Sequence, residues 1–331
     1  MVERLQFTCT AKDGLEIQGR SWRDESAAPR AALLIIHGMT EYCWRYDDFA
    51  SYLSMQGILV YAFDIRGHGI TTPDAGNRGF FAKKNGVDLL MSDIDCVRDK
   101  IDVIRAGIGA GELPLFMFGH SMGSFITSCY LKRTRAKGVS GVIISGTNAK
   151  AGLAQVGKML ARMQCFFKGS KSEGKLLDKI AFGTYNEKFQ PQRTVKDWLT
   201  RDEAIVNKYI ADPDCMFLFK AAGFADLSAL LQEAGSKNWT DAVPKDVPVF
   251  VYCGDMDPVG AYSKGPRILY QWYKDTGHDA LLKIYPGGRH EMHNELNRDE
   301  VYRDVLSFIL LHSQSKVPAK GALASGPGAD A

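Results

Sequence analysis

The sequence lacks the features that mark several broad classes of protein. In its 331 residues no apolar run approaches the length of roughly 20 that a helix needs to cross a bilayer. Residues 1–10 contain no charged stretch followed by an apolar one, so no secretory leader is expected. The seven cysteines are dispersed, odd in number and never spaced as CxxC, which argues against a disulfide framework and against a zinc site. Most sit among apolar neighbours and read as small buried hydrophobes, in keeping with a reduced, cytoplasmic protein. Charge of one sign is equally scarce as a block: 41 basic and 38 acidic residues are well mixed and leave a formal net charge of +3. Without a basic block there is no electrostatic footprint for nucleic acid, and without an acidic tail nothing points to a charged partner. No internal repeat and no ligand cluster for a metal or an organic cofactor is visible, so none is expected.

What is present is a core-forming composition, 45% hydrophobic and 24% charged. Residues 5–10 and 15–22 alternate about an Asp13-Gly14 turn and predict an antiparallel hairpin. Six short apolar runs follow, at 31–36, 58–63, 113–118, 139–145, 247–252 and 281–285, rich in β-branched and aromatic residues. Helix-compatible stretches separate them, among them 87–105, 122–133, 262–274 and 300–312. Apolar runs without alternation suit strands covered on both faces, so the pattern predicts an α/β fold with a mostly parallel sheet and crossover helices. Between residues 146 and 241 no such run occurs. There Leu153, Val156, Met159, Leu160, Met163, Phe166 and Phe167 fall on one helical face, read as the face that packs a helical cap onto the body, with an acyl channel or a lipid surface as the alternative use. The expected organisation is therefore a core in two parts (1–145 and 242–312), a cap insertion (146–241) and a Gly-, Ala- and Pro-rich disordered tail (313–331).

Gly119-His120-Ser121-Met122-Gly123 directly follows one of these strands and opens a helix, the context a nucleophile elbow requires. Flanking glycines let the chain turn sharply and leave the Ser121 hydroxyl exposed at the strand's end. A serine hydroxyl needs a base, and the base needs an acid to fix its tautomer; in this fold they follow in the order serine, acid, histidine. Four histidines follow Ser121. His290 lies on a loop just past the run 281–285, His278 lies before that run and hence at the sheet's other end, and His312 lies in the last helix; His293 is the rival base. Asp255 and Asp257 both sit on the loop after 247–252. Asp257, with the following proline shaping the turn, is preferred as the acid, and Asp255 is read as bracing the turn. The oxyanion donors expected are the backbone N–H groups of Met122, at a helix start, and of Met39, in the His37-Gly38-Met39 loop. His37 is read as shaping that loop and His68 as part of a turn.

Together, His37 through Glu41 with Arg45-Tyr46, Asp64 through Gly69, Gly119 through Gly123, the loop from Gly254 to Asp257 and His290 resemble the monoacylglycerol lipase and lysophospholipase branch of the α/β-hydrolases. The resemblance covers roughly residues 10–145 and 240–312, and one departure is Ser124, where a third glycine is common. It implies an α/β-hydrolase fold of eight strands with a helical lid inserted after the sixth. It also supports Ser121, Asp257 and His290 as a triad, with Met39 and Met122 as oxyanion donors. The expected activity is hydrolysis of carboxylic esters on a small-molecule or lipid substrate, with transient membrane contact through the lid. The same triad cleaves amides and thioesters, and a non-catalytic ligand-binding homologue is the reading from another class.

Overall fold

The computed structural model describes residues 1–150, 152, 154–236 and 239–313. The chain opens with the hairpin β1 (Val2–Thr10) and β2 (Glu16–Asp24), paired antiparallel across the Asp13-Gly14 turn, where Gly14 takes φ +86°. It continues through β3 (Ala31–Ile36), α1 (Asp47–Met55), β4 (Ile58–Phe63), α2 (Gly86–Gly107), β5 (Leu115–His120), α3 (Met122–Thr134) and β6 (Gly141–Ser145). Four helices follow, α4 (Ala154–Lys168), α5 (Lys175–Phe182), α6 (Glu203–Ala211) and α7 (Ala221–Ala234), then β7 (Val249–Gly254), α8 (Lys264–Asp275), β8 (Ala280–Tyr285) and α9 (Arg298–Ser313).

The strands form one eight-stranded sheet in the order β1-β2-β4-β3-β5-β6-β7-β8, parallel from β4 to β8 and antiparallel at β1 and β2. This is the α/β-hydrolase architecture expected. Strands β3 to β7 are buried along their whole length, which is why their sequences do not alternate. The alternation reappears in which core each residue enters. Leu34, Ile36 and Met117 pack with Ile94, Phe125 and Tyr273 from α2, α3 and α8, whereas Leu33, Ile35 and Phe118 pack with Phe49 and Val305 from α1 and α9. The two-sided core holds the sheet rigid, and the parallel pairing brings the carboxyl ends of β3, β5, β6, β7 and β8 to one edge. In open α/β sheets that edge is where ligands bind.

Among the described residues no strand lies between β6 and β7, and the only β pairing there is an isolated bridge of Glu173 with Lys220. The apolar face of α4 does not do what its periodicity predicts. Ala154 and Ala161 are its buried residues and Leu160 packs against the core, but Val156, Met159, Met163, Phe166 and Phe167 are exposed, the two phenylalanines by 83% and 74%. The helix packs on α7, where a Cβ on Gly157 would lie 3.2 Å from the Ser228 hydroxyl, and leaves those five large side chains exposed; Leu153 lies outside the described residues. The last helix runs through Ser313, which is buried, one residue into the segment read as tail; residues 314–331 lie outside the described part. No described helix is long and apolar enough to cross a membrane.

Candidate active site

The turn from β5 into α3 is strained at one residue. Ser121 adopts φ 54° and ψ −123°, a region an L-residue occupies only when its surroundings over-determine it. Those surroundings are visible. The Ser121 N–H donates to the carbonyl of Ser145 at the end of β6 (3.0 Å), and the Ser124 hydroxyl donates back to the Ser121 carbonyl (2.6 Å). A Cβ on Gly123 would lie 2.0 Å from the Ile36 carbonyl oxygen, and one on Gly119 would lie 2.6 Å from the Gly123 carbonyl oxygen. The glycines thus let α3 approach β3 and β5 closely, while Ser124, where a glycine is common, adds a hydrogen bond of its own.

The loop after β3 passes directly over this turn, since a Cβ on Gly38 would lie 3.1 Å from that of Ser121. Among the described residues neither the Met39 N–H nor the Met122 N–H has an acceptor, and both residues line the cavity into which Ser121 faces. Two histidines brace the loop. The Ile65 N–H donates to His37 Nε2 (3.0 Å), so the His37 proton sits on Nδ1, shared with the Gly38 carbonyl (2.7 Å). The Thr40 N–H donates to His68 Nε2 (3.3 Å), and His68 Nδ1 faces the Arg66 carbonyl (3.2 Å). Burial holds both imidazoles neutral, His37 down to about 4. His68, read from sequence as part of a turn, is therefore a support of the loop beside Ser121.

Across the cavity, His290 Nδ1 lies 3.0 Å from Asp257 Oδ1, which also accepts the Val259 N–H at 2.9 Å. A carboxylate only accepts, so Nδ1 carries the proton and Nε2 is left as a basic nitrogen. Burial would push the imidazole pKa down, but the charge of Asp257 and its hydrogen bond outweigh it and hold His290 above the usual value of 6.5. Asp255 accepts the Gly287 N–H (2.7 Å) and ties the β7 loop to the β8 loop. His293 is fully buried, stacks on Tyr46 with ring centroids 4.6 Å apart, and among the described residues neither of its ring nitrogens has a hydrogen-bond partner. It lies outside the cavity lining, and burial lowers its pKa to about 3. His278 is bonded to the Val243 carbonyl (3.1 Å), remote from Ser121.

A buried charge cluster that sequence reading missed links the two sides. Arg45 donates to Glu41 (2.7 Å) and, through both terminal nitrogens, to Glu291 (2.8 and 2.7 Å). Glu41 in turn accepts the Gly38 N–H (2.5 Å) and the Tyr46 hydroxyl (3.0 Å), while Glu291 also accepts from the Asn294 amide (2.9 Å). Residues 41 and 45 were visible as part of a motif; their partner is the residue after His290, 246 positions on from Arg45. No local pattern announces that pairing.

The cavity holds about 750 Å³. Phe125, Leu177, Phe217, Phe224, Leu227 and Leu231 supply an apolar wall, and Gly38, Met39, Ser121, Met122 and His290 line it as well. Among the described residues no group of three or more His, Cys, Asp or Glu side chains is arranged to hold a metal ion.

The chain is similar to several known proteins. Residues 27–297 match a family described as serine aminopeptidase, S33. A monoacylglycerol lipase of Mycolicibacterium smegmatis is 30% identical over 93% of this chain and 98% of its own length. A monoglyceride lipase of Rattus norvegicus is 28% identical over 94% of this chain and 90% of its own. Among solved structures, a thermostable carboxyl esterase from Bacillus coagulans, in complex with glycerol, superposes with a TM-score of 0.84 at 29% identity, covering 92% of this chain and 97% of that one.

Proposed function

Because the chain belongs to the serine aminopeptidase S33 family of α/β-hydrolases, and is a serine hydrolase of carboxylic esters, we propose that it cleaves monoacylglycerol- or lysophospholipid-like esters through an acyl-enzyme intermediate. In this reading Ser121 Oγ attacks the ester carbonyl while His290 Nε2 takes its proton, and Asp257 holds the imidazole in the required tautomer and stabilises its charge. The oxyanion forms against the Met39 and Met122 N–H groups; a donor of this kind typically contributes about 3–4 kcal/mol to lowering the barrier. His290 then protonates the leaving alcohol, and a water molecule deprotonated by the same nitrogen releases the acid.

The observation that carries the reading is the single cavity lined by Ser121, His290 and two unbonded backbone donors, with Asp257 hydrogen-bonded to the imidazole behind it. The apolar wall suits an acyl chain, and two of the relatives named above are described as a monoacylglycerol lipase and a monoglyceride lipase. An aminopeptidase would need a carboxylate to seat a protonated amino terminus. Of the carboxylates that line the cavity, Glu41 and Glu291 are taken up by Arg45 and Asp178 faces the Lys196 ammonium, which favours esters over aminoacyl amides.

The exposed apolar face of α4 supports contact of this insertion, acting as a lid, with a lipid surface. Leu176 and Ile180 of α5 are exposed as well, Ile180 also lines the cavity, and Lys168, Lys171, Lys175 and Lys179 of the same insertion are exposed. All seven cysteines are free, in keeping with a cytoplasmic location.

A fluorophosphonate probe and a series of p-nitrophenyl esters of increasing chain length test the chemistry. Labelling and turnover are expected in the native protein and absent in Ser121→Ala. A folded native protein that turns over no ester of any length, or that prefers an aminoacyl anilide, overturns the ester reading.

A further inference from the structure

The charges on the cavity wall are unequally satisfied. Glu41 and Glu291 share Arg45, and Lys150 and Lys179 stand at the rim in solvent. Lys196 differs from all of them. It is half-buried in the wall, and among the described residues its ammonium group has no hydrogen-bond acceptor and no carboxylate within ion-pair distance. Asp178 of α5 and Glu291 face it only through space, and Glu291 is already bound to Arg45 and Asn294.

What surrounds the Lys196 ammonium instead is aromatic: the Trp198 ring centroid lies at 5.8 Å and that of Tyr209 at 5.6 Å. The Trp198 ring packs against the His290 ring at 5.0 Å. The Tyr209 hydroxyl bonds both the Thr40 hydroxyl (2.7 Å) and the Thr40 carbonyl (2.9 Å), next to Met39. The cation therefore stands over the two rings that back the proposed base and the proposed oxyanion loop. Ring faces attract a cation but compensate only part of its lost hydration. Burial accordingly lowers the lysine's pKa. The group is missing an anion.

The side of the cavity on which Lys196 stands identifies where that anion would come from. This step rests on the proposed roles of Ser121 and His290. The leaving alcohol must lie beside the imidazole that protonates it, and Lys196 stands 5.8 Å from the centroid of Trp198, whose ring packs on that imidazole. The wall formed by Phe125, Leu177, Phe224, Leu227 and Leu231 is apolar and suits the acyl chain. We infer that Lys196 is a specificity residue that binds a phosphate carried on the leaving alcohol, so that the preferred esters are anionic lysophospholipids rather than neutral monoacylglycerols.

Two matched substrates with the same short acyl chain test this: a lysophosphatidate and the corresponding monoacylglycerol. The quantity read is the ratio of their kcat/KM values in the native protein, Lys196→Met and Lys196→Arg. A charge-assisted hydrogen bond to phosphate corresponds to about a tenfold effect or more, so the ratio is expected to fall by about that factor in Lys196→Met, mainly through KM, and to be largely retained in Lys196→Arg. An unchanged ratio, including one in which both substrates suffer alike, overturns the inference. The same comparison is made by binding to Ser121→Ala with and without Lys196→Met. If no ester is hydrolysed by the native protein, the catalytic reading fails, while a binding preference for the phosphate-bearing lipid that Lys196→Met erases still upholds the role of Lys196, and equal binding of both lipids ends it.

Discussion

At the scale of single residues, the two histidines after β8 show how burial alone does not decide chemistry. His290 and His293 are three positions apart and both enclosed, yet their pKa values move in opposite directions: burial prevails at His293 despite the nearby charge of Glu291, whereas His290 is hydrogen-bonded to the Asp257 carboxylate. The raised value of His290 has two consequences of opposite sign. Protonation of His290 stabilises the fold below its ordinary value of 6.5, and that contribution is lost as pH rises through the higher folded-state value. As the proposed base, His290 must be neutral, so activity is expected to follow the reverse course. The acid limb of a kcat/KM profile is therefore expected above pH 6.5. Asp257→Asn removes the charge that outweighs burial, and should move the limb to lower pH while reducing kcat by roughly 10⁴-fold, the scale of tautomer loss in triads. A limb that stays in place in this variant would mean that another group titrates.

At the scale of elements, α4 is the clearest case in which a sequence period and its use part company. Apolar residues at helical spacing announced an amphipathic helix, and one forms over Ala154–Lys168. Which of its faces meets the protein was not announced. Ala154 and Ala161 are the residues it buries, α7 is the helix it packs on, and Val156, Met159, Met163, Phe166 and Phe167 face out. If that outward face meets lipid, replacing Phe166 and Phe167 by serine removes two side chains whose burial is worth about 1.5–3 kcal/mol each. Sedimentation with phospholipid vesicles should then show binding weakened by at least about a hundredfold, with turnover of a dissolved short-chain ester unaltered. Equal vesicle binding by the double variant would leave the stripe without a lipid role. The elbow between β5 and α3 shows the opposite situation, where local pattern and use agree. Gly119, Ser121 and Gly123 are spaced by the turn itself, so contacts within a few residues, and with the adjacent ends of β3 and β6, suffice to fix the geometry.

At the scale of the whole molecule, Arg45 joins the loop after β3 to the loop after β8. The cluster holds two carboxylates against one guanidinium in a buried place. Burial pushes Glu41 up, while Glu291, also opposed by burial, is held down to about 2 by Arg45. Removing one partner of such a cluster strands the others, at a typical cost of about 3–5 kcal/mol. Arg45→Met should lower the unfolding free energy in urea by about that amount. It should also impair turnover well below the unfolding midpoint, because Glu41 holds the Gly38 N–H and Glu291 adjoins His290. A variant as stable as the native protein would show the cluster to be dispensable.

Most of the sheet was legible in the sequence because strands buried on both faces must be apolar throughout, and their order along the chain then follows from crossover connections. Strand limits moved by a few residues: β5 begins at Leu115 rather than 113 and β7 ends at Gly254 rather than 252. The positions read as nucleophile, base and acid were legible for a similar reason, since each follows a recognisable strand, and the parallel sheet carries strand ends to one edge. What the sequence alone determined is thus whatever depends on near neighbours: the periods, the turns and the serine elbow. What only the tertiary structure decided is which distant charges meet. Arg45 with Glu291, His68 with the Thr40 N–H, and Lys196 with no carboxylate in ion-pair distance among the described residues are set by where long chain segments come to rest. An electrostatic partner is chosen by distance in space and by loss of water, and neither is written in the spacing of residues along the chain.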